Sequence, residues 1–321
     1  MSLGDMVVFH DYLYRSMTET VKQQVQLFNT ASAGALVLTT AANVGDFSEK
    51  ASFKLIPNLV RRRDAYGSGA LTPVDIEQLR NVSVKVAAGT PPIRWEPQQF
   101  AWIQRNQEEA GTIIGVQLAE AEIQDKVNIA IKALVAAIAN NSMVYNAEDG
   151  NVELADLVKG AALFGDHASS LAAWITHSKP MHDLYGSNLT NGQQLFQFGT
   201  VNISQDGFGR RFIVTDSPDL IEADGVEEGT DAYKTLGLVE GAALVENNGD
   251  FFSNVETSNG KENIERTFQA EWTYNVGLKG YSWDKANGGS SPTTAEIATG
   301  ANWDKIVTSN KDTAGVIVSS K

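Results

Sequence analysis

The stretch TIIGVQLAEAEIQDKVNIAIKALVAAIANN, residues 112–141, decides how the rest of the chain is read. Val116, Ile123, Val127, Ile131, Leu134 and Ile138 recur at helical spacing, alanines fill the neighbouring positions, and the Asn140–Asn141 pair supplies a stop. The spacing predicts one helix over 112–141. At about 1.5 Å per residue such a helix is about 45 Å long, more than a compact domain needs. It reads as a spine on which other elements are hung. Charged residues interrupt it (Glu120, Glu122, Asp125, Lys126, Lys132), and no other stretch of the chain approaches the roughly 18 apolar residues of a membrane span.

Toward the N-terminus, Pro97 can occupy the first turn of a short helix over 98–109, and Pro91–Pro92 close the segment before it. Residues 54–96 carry strand-like pieces around DAYGSGALTP, with Val82, Val84 and Val86 alternating. We read a two-stranded excursion that turns at Gly67 and Gly69. Residues 31–53 are small and polar. Ahead of them Tyr14, Met17, Val21, Val25 and Phe28 form the stripe of an amphipathic helix over 12–28, which must bury that stripe on something. Toward the C-terminus an acidic turn at 147–153 leads into alternating short strands and helices up to Asn247. Residues 264–278 then alternate as a long strand with one buried face, 287–300 form a polar connector, and the apolar GVIV ending is expected to dock back on the body. No internal repeat occurs.

The 321 residues exceed the usual span of one core, so two lobes or one elaborated domain are expected. The absence of cysteine excludes disulfides, thiolate metal sites and a cysteine nucleophile. The sequons at Asn81, Asn188 and Asn202 come with no secretion signal, because the apolar run Met6–Phe9 is short and followed by acids. The expectation is a soluble protein made inside a cell. A formal charge of −14 argues against nucleic acid as a gripped ligand. The charge is unevenly spread. Residues 51–105 hold Lys54, Arg61, Arg62, Arg63, Arg80, Lys85, Arg94 and Arg105 against four acids, a net of +4 that leaves −18 for the remainder. One basic strap on an acidic body suggests a partner resembling the body itself.

Candidate chemistry is thin. In LAAWITHSKPMHDLYGSNL, residues 171–189, Ser178 lacks the flanking glycines of a nucleophile elbow. Ser178 fits a helix N-cap instead, with Pro180 and Asp183 in the first turn. His177 and His182 are five apart and share no helical face, and His167 completes no zinc motif with them. The acids Asp219, Glu222, Asp224, Glu227, Glu228 and Asp231 fail as a calcium loop, since aligning Gly225 with the loop's turn puts Leu220 at the first ligand position. DGFGRR, residues 206–211, lacks a third glycine and reads as a hairpin turn between TVNIS and RFIVTD. We therefore expect no catalytic residue, metal or cofactor. The competing readings are a component of another kind of assembly, such as a tube or decoration protein, and a hydrolase using His177 or His182.

In order along the chain, several segments resemble the major capsid proteins of tailed bacteriophages, the Hong Kong ninety-seven-type shell fold. The 112–141 helix is similar to that family's spine helix, and the basic excursion before it to the loop that reaches over a neighbouring subunit. AAWITHSKPMHDL resembles its strand-to-helix passage, GRRFIVTDSPDL its glycine turn, strand and Asp-x-Pro close, NVGLKGYSW the end of its late long strand, and SPTTAEIATGANWDKI its C-terminal helix with Asn-Trp. The resemblance implies an α+β fold. Its parts would be an N-terminal arm (1–50), an extended β loop (51–96), a peripheral domain with the spine helix (97–160), an axial α/β domain (161–247), returning long strands (248–286), and a linker with a C-terminal helix and strand (287–321). It further implies self-assembly through hexamers and pentamers into an icosahedral shell around packaged double-stranded DNA, bound without sequence specificity. Partners would be a separate scaffolding protein, since the chain begins without the long scaffolding segment some members carry, a portal protein and a possible decoration protein, with no membrane. No protease-cleavage feature is evident. The location would be the virion, assembled in the bacterial host cytoplasm. On this reading Arg61, Arg62 and Arg63 of one copy would meet Glu120, Glu122 and Asp125 on a neighbour's long helix, and the 12–28 helix would be a second arm leaving the core.

Overall fold

A computed structural model describes residues 3–54, 56, 60–96, 106–147, 150–185, 193–198, 200–205, 211–227 and 230–321. Helix α1 (Leu3–Ala31) leads into β1 (Leu36–Thr40), β2 (Phe47–Phe53), β3 (Gln78–Gly89) and β4 (Ile93–Trp95). The long helix α2 (Gln107–Asn140) follows, then β5 (Val144–Asn146), α3 (Leu154–Ala162), β6 (Leu171–Thr176) and α4 (Ser178–Tyr185). Next come β7 (Gln193–Phe198), β8 (Val201–Gln205), β9 (Arg211–Thr215), β10 (Ile221–Glu227) and β11 (Thr230–Val239). The chain closes with β12 (Ala243–Asn247), β13 (Phe252–Ser258), β14 (Glu265–Leu278), β15 (Tyr281–Trp283), α5 (Thr294–Ile297), β16 (Trp303–Lys305) and β17 (Gly315–Ser320).

Two sheets organise these strands. In the first, the order is β1-β12-β14-β3-β2, and the 14-residue β14 is long enough to pair with β13 and β4 beyond the ends of β12 and β3. The second runs β5-β17-β11-β6-β9-β8-β7, with β10 on β11. The apolar tail is therefore an interior strand: β17 lies between β5 and β11, and Val316, Ile317 and Val318 are fully buried. Because β12 pairs with β1 and β14, the chain crosses between sheets after Val239, not at residue 247. Hairpin β8–β9 brackets 206–210 as expected, although the turn itself lies outside the described residues.

Helix α2 touches both sheets, through β12 and β14 on one side and β17 on the other. Its C-terminal half is buried on nearly every face: Ile129, Ala130, Ile131, Ala133, Leu134, Ala136, Ala137 and Ile138 are all enclosed. A single stripe thus describes only its N-terminal half, and even there Val116 is 38% exposed and off the buried face. The helix also starts earlier than the spacing predicts. Glu108 and Glu109 sit in its first turn, where carboxylates favour the positive end of the helix dipole, so 107–109 belong to α2 and not to a separate helix. The predicted 98–105 portion lies outside the described residues.

Helix α1 corrects the expectation of an arm leaving the core, because it lies along its own chain's α2. Its buried positions include Phe9, Leu13, Met17, Phe28 and Ala31, whereas Tyr14 is 41% exposed, its ring tilted against that of Phe251 with centroids 5.5 Å apart. Gly111 and Gly115, four apart on α2, allow the approach: a Cβ on either would stand 2.8 Å from the Phe9 carbonyl oxygen and 2.7 Å from that of Leu13, respectively. The far end of α1 is capped by Arg211 of β9, whose guanidinium donates to the carbonyls of Thr30 and Ala31 at 2.8 and 3.0 Å.

Alanine at an exposed helical glycine raises stability by up to about 1 kcal/mol through backbone entropy. At Gly115 the new methyl meets backbone that cannot swing aside. Gly115→Ala is therefore expected to lose about 1–3 kcal/mol, as overpacked sites do. Urea unfolding checks this, and an unchanged or raised midpoint would show that α1 is not held against α2.

Candidate interaction surface

The histidine stretch is a helix start. Strands β6 and β9 run parallel, and α4 begins where β6 ends, beside Asp216 at the end of β9. Ser178 is the first helical residue, so the cap falls one residue earlier than predicted. The His177 carbonyl accepts the Met181 N–H, and its Nδ1 accepts the Lys179 N–H at 3.2 Å. The Ser178 N–H donates to Asp216 at 3.3 Å. Pro180 sits in the first turn as expected. Asp183 does not, lying one turn on and pairing with Lys179 at 2.7 Å.

The hydroxyl of Ser178 is also directed at Asp216, the largest of the effects that hold that carboxyl below its usual range; the Ser178 N–H, His177 and His182 add to it and partial burial opposes it. A nucleophilic serine needs a base within hydrogen-bond reach, and here its partner is a carboxylate that is also capping a helix. His182 and His167 are exposed, and among the described residues no three His, Asp or Glu side chains converge as a metal site would require. Two acids of the 219–231 run are neutralised individually, Asp219 by Lys132 at 2.8 Å and Glu222 by Lys234 at 3.0 Å. The run follows the β10–β11 hairpin and not a ligand loop; Glu228 lies outside the described residues.

Among the described residues, a surface with little internal packing is the excursion between β2 and β3. These strands pair from Phe47↔Val84 to Phe53↔Gln78, so the hairpin begins at residue 47, inside the stretch expected to be small and polar. Lys54 N–H to the Glu77 carbonyl (2.9 Å) and the Lys54–Glu77 ion pair (2.5 Å) close its last rung. Beyond them residues 60–76 carry no helix or strand. Val60 and Tyr66 are 89% and 98% exposed, and Leu71, Val74 and Ile76 are more than half exposed. Arg61, Arg62 and Arg63 are exposed, and among the described residues none of them forms an ion pair. A long irregular loop that holds five large apolar side chains and three guanidiniums in water is a surface awaiting a partner.

The three acids expected opposite those arginines differ in availability. Glu120 is half-buried on α2. Glu122 is 2% exposed and contacts Lys126, itself 3% exposed, one turn along the same helix. A carboxylate so enclosed does not reach another chain, and the expectation for Glu122 is corrected accordingly. Asp125 accepts the Tyr274 hydroxyl at 2.7 Å; burial raises its carboxyl above the usual range, against the opposing pull of that bond and of Lys126. The sequence shows all three as acids on one helix, and only packing by β12 and β14 distinguishes them.

A protein-family model described as Gp13-like, major capsid protein 13-like, matches residues 5–317. No curated protein matches the chain. Among solved structures the fold is similar to the cyanophage Pam1 capsid asymmetric unit, with a TM-score of 0.51 at 10% identity over 87% of this chain and 85% of that one. It is also similar to the capsid of Myoviridae phage XM1, with a TM-score of 0.50 at 10% identity over 90% of each chain. At these identities the likeness is one of fold.

Asp216 ties the end of β9 to the start of α4, and its lowered pKa makes that tie pH-dependent. A carboxyl whose folded value lies below the unfolded one, about 3.9, stabilises above that value and loses the contribution as pH falls through the folded value. Asp216→Asn is thus expected to melt below the wild type at neutral pH, with the two curves converging at acid pH once the carboxyl is protonated in the folded chain as well. Thermal unfolding over a pH series tests this, and curves offset equally at all pH would rule out an ionised Asp216 as the tie.

Proposed function

The chain belongs to the major capsid protein 13-like family and is a structural subunit of a tailed-phage capsid, and from that premise we propose that the loop between β2 and β3 is the strap by which one copy holds the next. Copies of the chain assemble into a shell and reside in the virion. Hexamers and pentamers arranged icosahedrally around double-stranded DNA are the proposed form of that shell. Scaffolding and portal proteins are its proposed assembly partners, a decoration protein a possible addition, and the bacterial cytoplasm the place of assembly. We assign no catalysis to the chain. The β2–β3 excursion serves as the extended loop, α2 as the spine of a peripheral domain built on the first sheet, and the second sheet as the axial domain.

The observation that carries the strap is the exposure of Val60, Tyr66, Leu71, Val74 and Ile76 beside Arg61, Arg62 and Arg63. Covering such side chains contributes apolar burial of about 25 cal/mol per Å². Charge then selects where the strap lands. The chain outside 51–105 carries −18, so a neighbour's body attracts the arginines, and Glu120 is one acid there that forms no ion pair among the described residues. An acidic wall also contains DNA without gripping it, since phosphate binding needs a positive face.

Reversing the arginines together (R61E, R62E, R63E) is expected to abolish or misdirect assembly while the monomer keeps its circular dichroism and melting temperature, because all three lie in solvent. Negative-stain microscopy with sedimentation reads the result. Shells of normal form and yield from the triple variant would sink the electrostatic strap.

A further inference from the structure

We propose that Asn259 is a modification site: its side-chain amide is lost spontaneously through attack by the Gly260 nitrogen, leaving aspartate or isoaspartate in the turn between β13 and β14. The inference stands on the chemistry of that turn and does not depend on the assembly reading. Asparagine followed by glycine is the pair most prone to this reaction, because no side chain shields the glycine nitrogen and the glycine backbone pivots easily. Such pairs begin at Asn191, Asn248, Asn259 and Asn287, of which Asn191 lies outside the described residues. The fold treats the others differently. Asn248 is 9% exposed and held at both ends of its amide: Nδ2 donates to the Thr273 hydroxyl at 2.8 Å, and Oδ1 accepts from Asn275 at 3.0 Å. The Gly249 N–H is occupied too, donating to Asn247 Oδ1 at 3.1 Å. At the third pair the Asn287 amide donates to the Asp284 carboxylate, and the buried Gly288 donates its N–H to the Asp284 carbonyl at 2.9 Å.

Asn259 has none of these restraints. Strands β13 and β14 pair as far as Ser258↔Glu265, and residues 259–264 form an exposed turn beyond that rung. Among the described residues neither the Asn259 amide nor the Gly260 N–H makes a hydrogen bond. Gly260 stands at φ +102°, which glycine adopts readily, and nothing lies within 4 Å of where its Cβ would be. The backbone there pivots without meeting a neighbour, so the amide carbon and the following nitrogen come together unopposed. Water is the one reagent needed. Hydroxide takes the Gly260 N–H proton, the nitrogen pair forms a bond to Cγ of Asn259, and the carbonyl π pair moves onto Oδ1. As the carbonyl reforms, the Cγ–Nδ2 bond breaks and Nδ2 leaves as ammonia with a proton from water, which regenerates hydroxide and closes a cyclic imide. Water then adds to an imide carbonyl. Opening at Cγ gives aspartate; opening at the main-chain carbonyl carbon gives isoaspartate, with the backbone running through Cβ and Cγ. The net change is one water consumed and one ammonia released, with no oxidation or reduction. Either product places a carboxylate near Lys261 in sequence, whose ammonium now pairs with Glu265 at 2.8 Å, while the paired rungs of the hairpin lie outside the altered segment. A population of this chain therefore grows more acidic with age at a place the fold selects.

The test incubates the folded full-length chain at mildly alkaline pH beside the same chain in urea, and follows each site by tandem mass spectrometry of tryptic peptides. The peptide spanning 235–261 holds both Asn248 and Asn259, so fragment ions between them locate the mass gained when OH replaces NH2. In the folded chain Asn259 is expected to convert while Asn248 and Asn287 stay unchanged; in urea all three are expected to convert. Asn259→Gln, whose imide needs a larger ring, is expected to show no conversion at that position over the same period. Asn259 left intact in the folded chain after the urea-treated chain has converted would overturn the proposal. So would Asn248 or Asn287 converting in the folded chain at the rate of Asn259. Because the readout is a residue mass in the unassembled chain, its failure leaves the strap untouched, and failure of the strap leaves it untouched.

Discussion

Helix α2 must be buried by two sheets at once, and most of the architecture follows from that demand. A helix of 34 residues cannot be enclosed by one small sheet, so β12 and β14 cover it on one side, β17 on another, and α1 takes up the face near its start. The alanines at 130, 133, 136 and 137 allow this by keeping the helix thin where neighbours surround it, and the larger Ile123, Val127, Ile131, Leu134 and Ile138 fill the gaps between layers. At the α1 contact the same logic goes further. Gly111 and Gly115 remove the side chain altogether, and backbone meets backbone.

Against this packed body stands a loop that the body does not use. The contrast between a body that buries Phe212, Phe268, Trp272, Tyr274 and Tyr281, with Trp283 and Trp303 in edge contact at 4.9 Å, and a loop that leaves Tyr66 98% exposed is informative in itself. Exposed apolar side chains on an irregular segment weaken solubility unless something covers them. In a protein that works only as one of many copies, that cost is offset on assembly. The arginines beside them add direction to what apolar burial supplies in magnitude.

Much of the fold was legible in particular residues. The long helix, the late strand 264–278, the β8–β9 hairpin and the docking of GVIV could all be read from period and apolar runs, because each buries a pattern that has one physical solution. Positions at the edges of patterns were misread. Tyr14 and Val116 have the right spacing and point off the buried face, since the helix partner is set by the glycines at 111 and 115 and not by the widest apolar stripe. The cap assigned to Ser178 belongs to His177, because Asp216, distant in sequence, takes the Ser178 N–H. The start of β2 went unseen for a related reason: FSEKASF has little apolar character, and its pairing with β3 holds it in place.

The site divided in the same way. Arg61, Arg62 and Arg63 could be picked out from local charge alone, and their exposure agrees with that reading, because nothing in a solvated loop alters what a side chain can do. Glu120, Glu122 and Asp125 look equivalent in the sequence. Tertiary structure left one half-buried, made one the partner of a buried lysine and one the acceptor for Tyr274, since position around a helix axis has no meaning until other elements pack on it. The sequence by itself determined where helices and strands form and where charge accumulates, both being local properties. Which polar groups are sealed from water and which partners they meet, Glu122 with Asn247 above all, was decided only when residues more than a hundred positions apart were brought together.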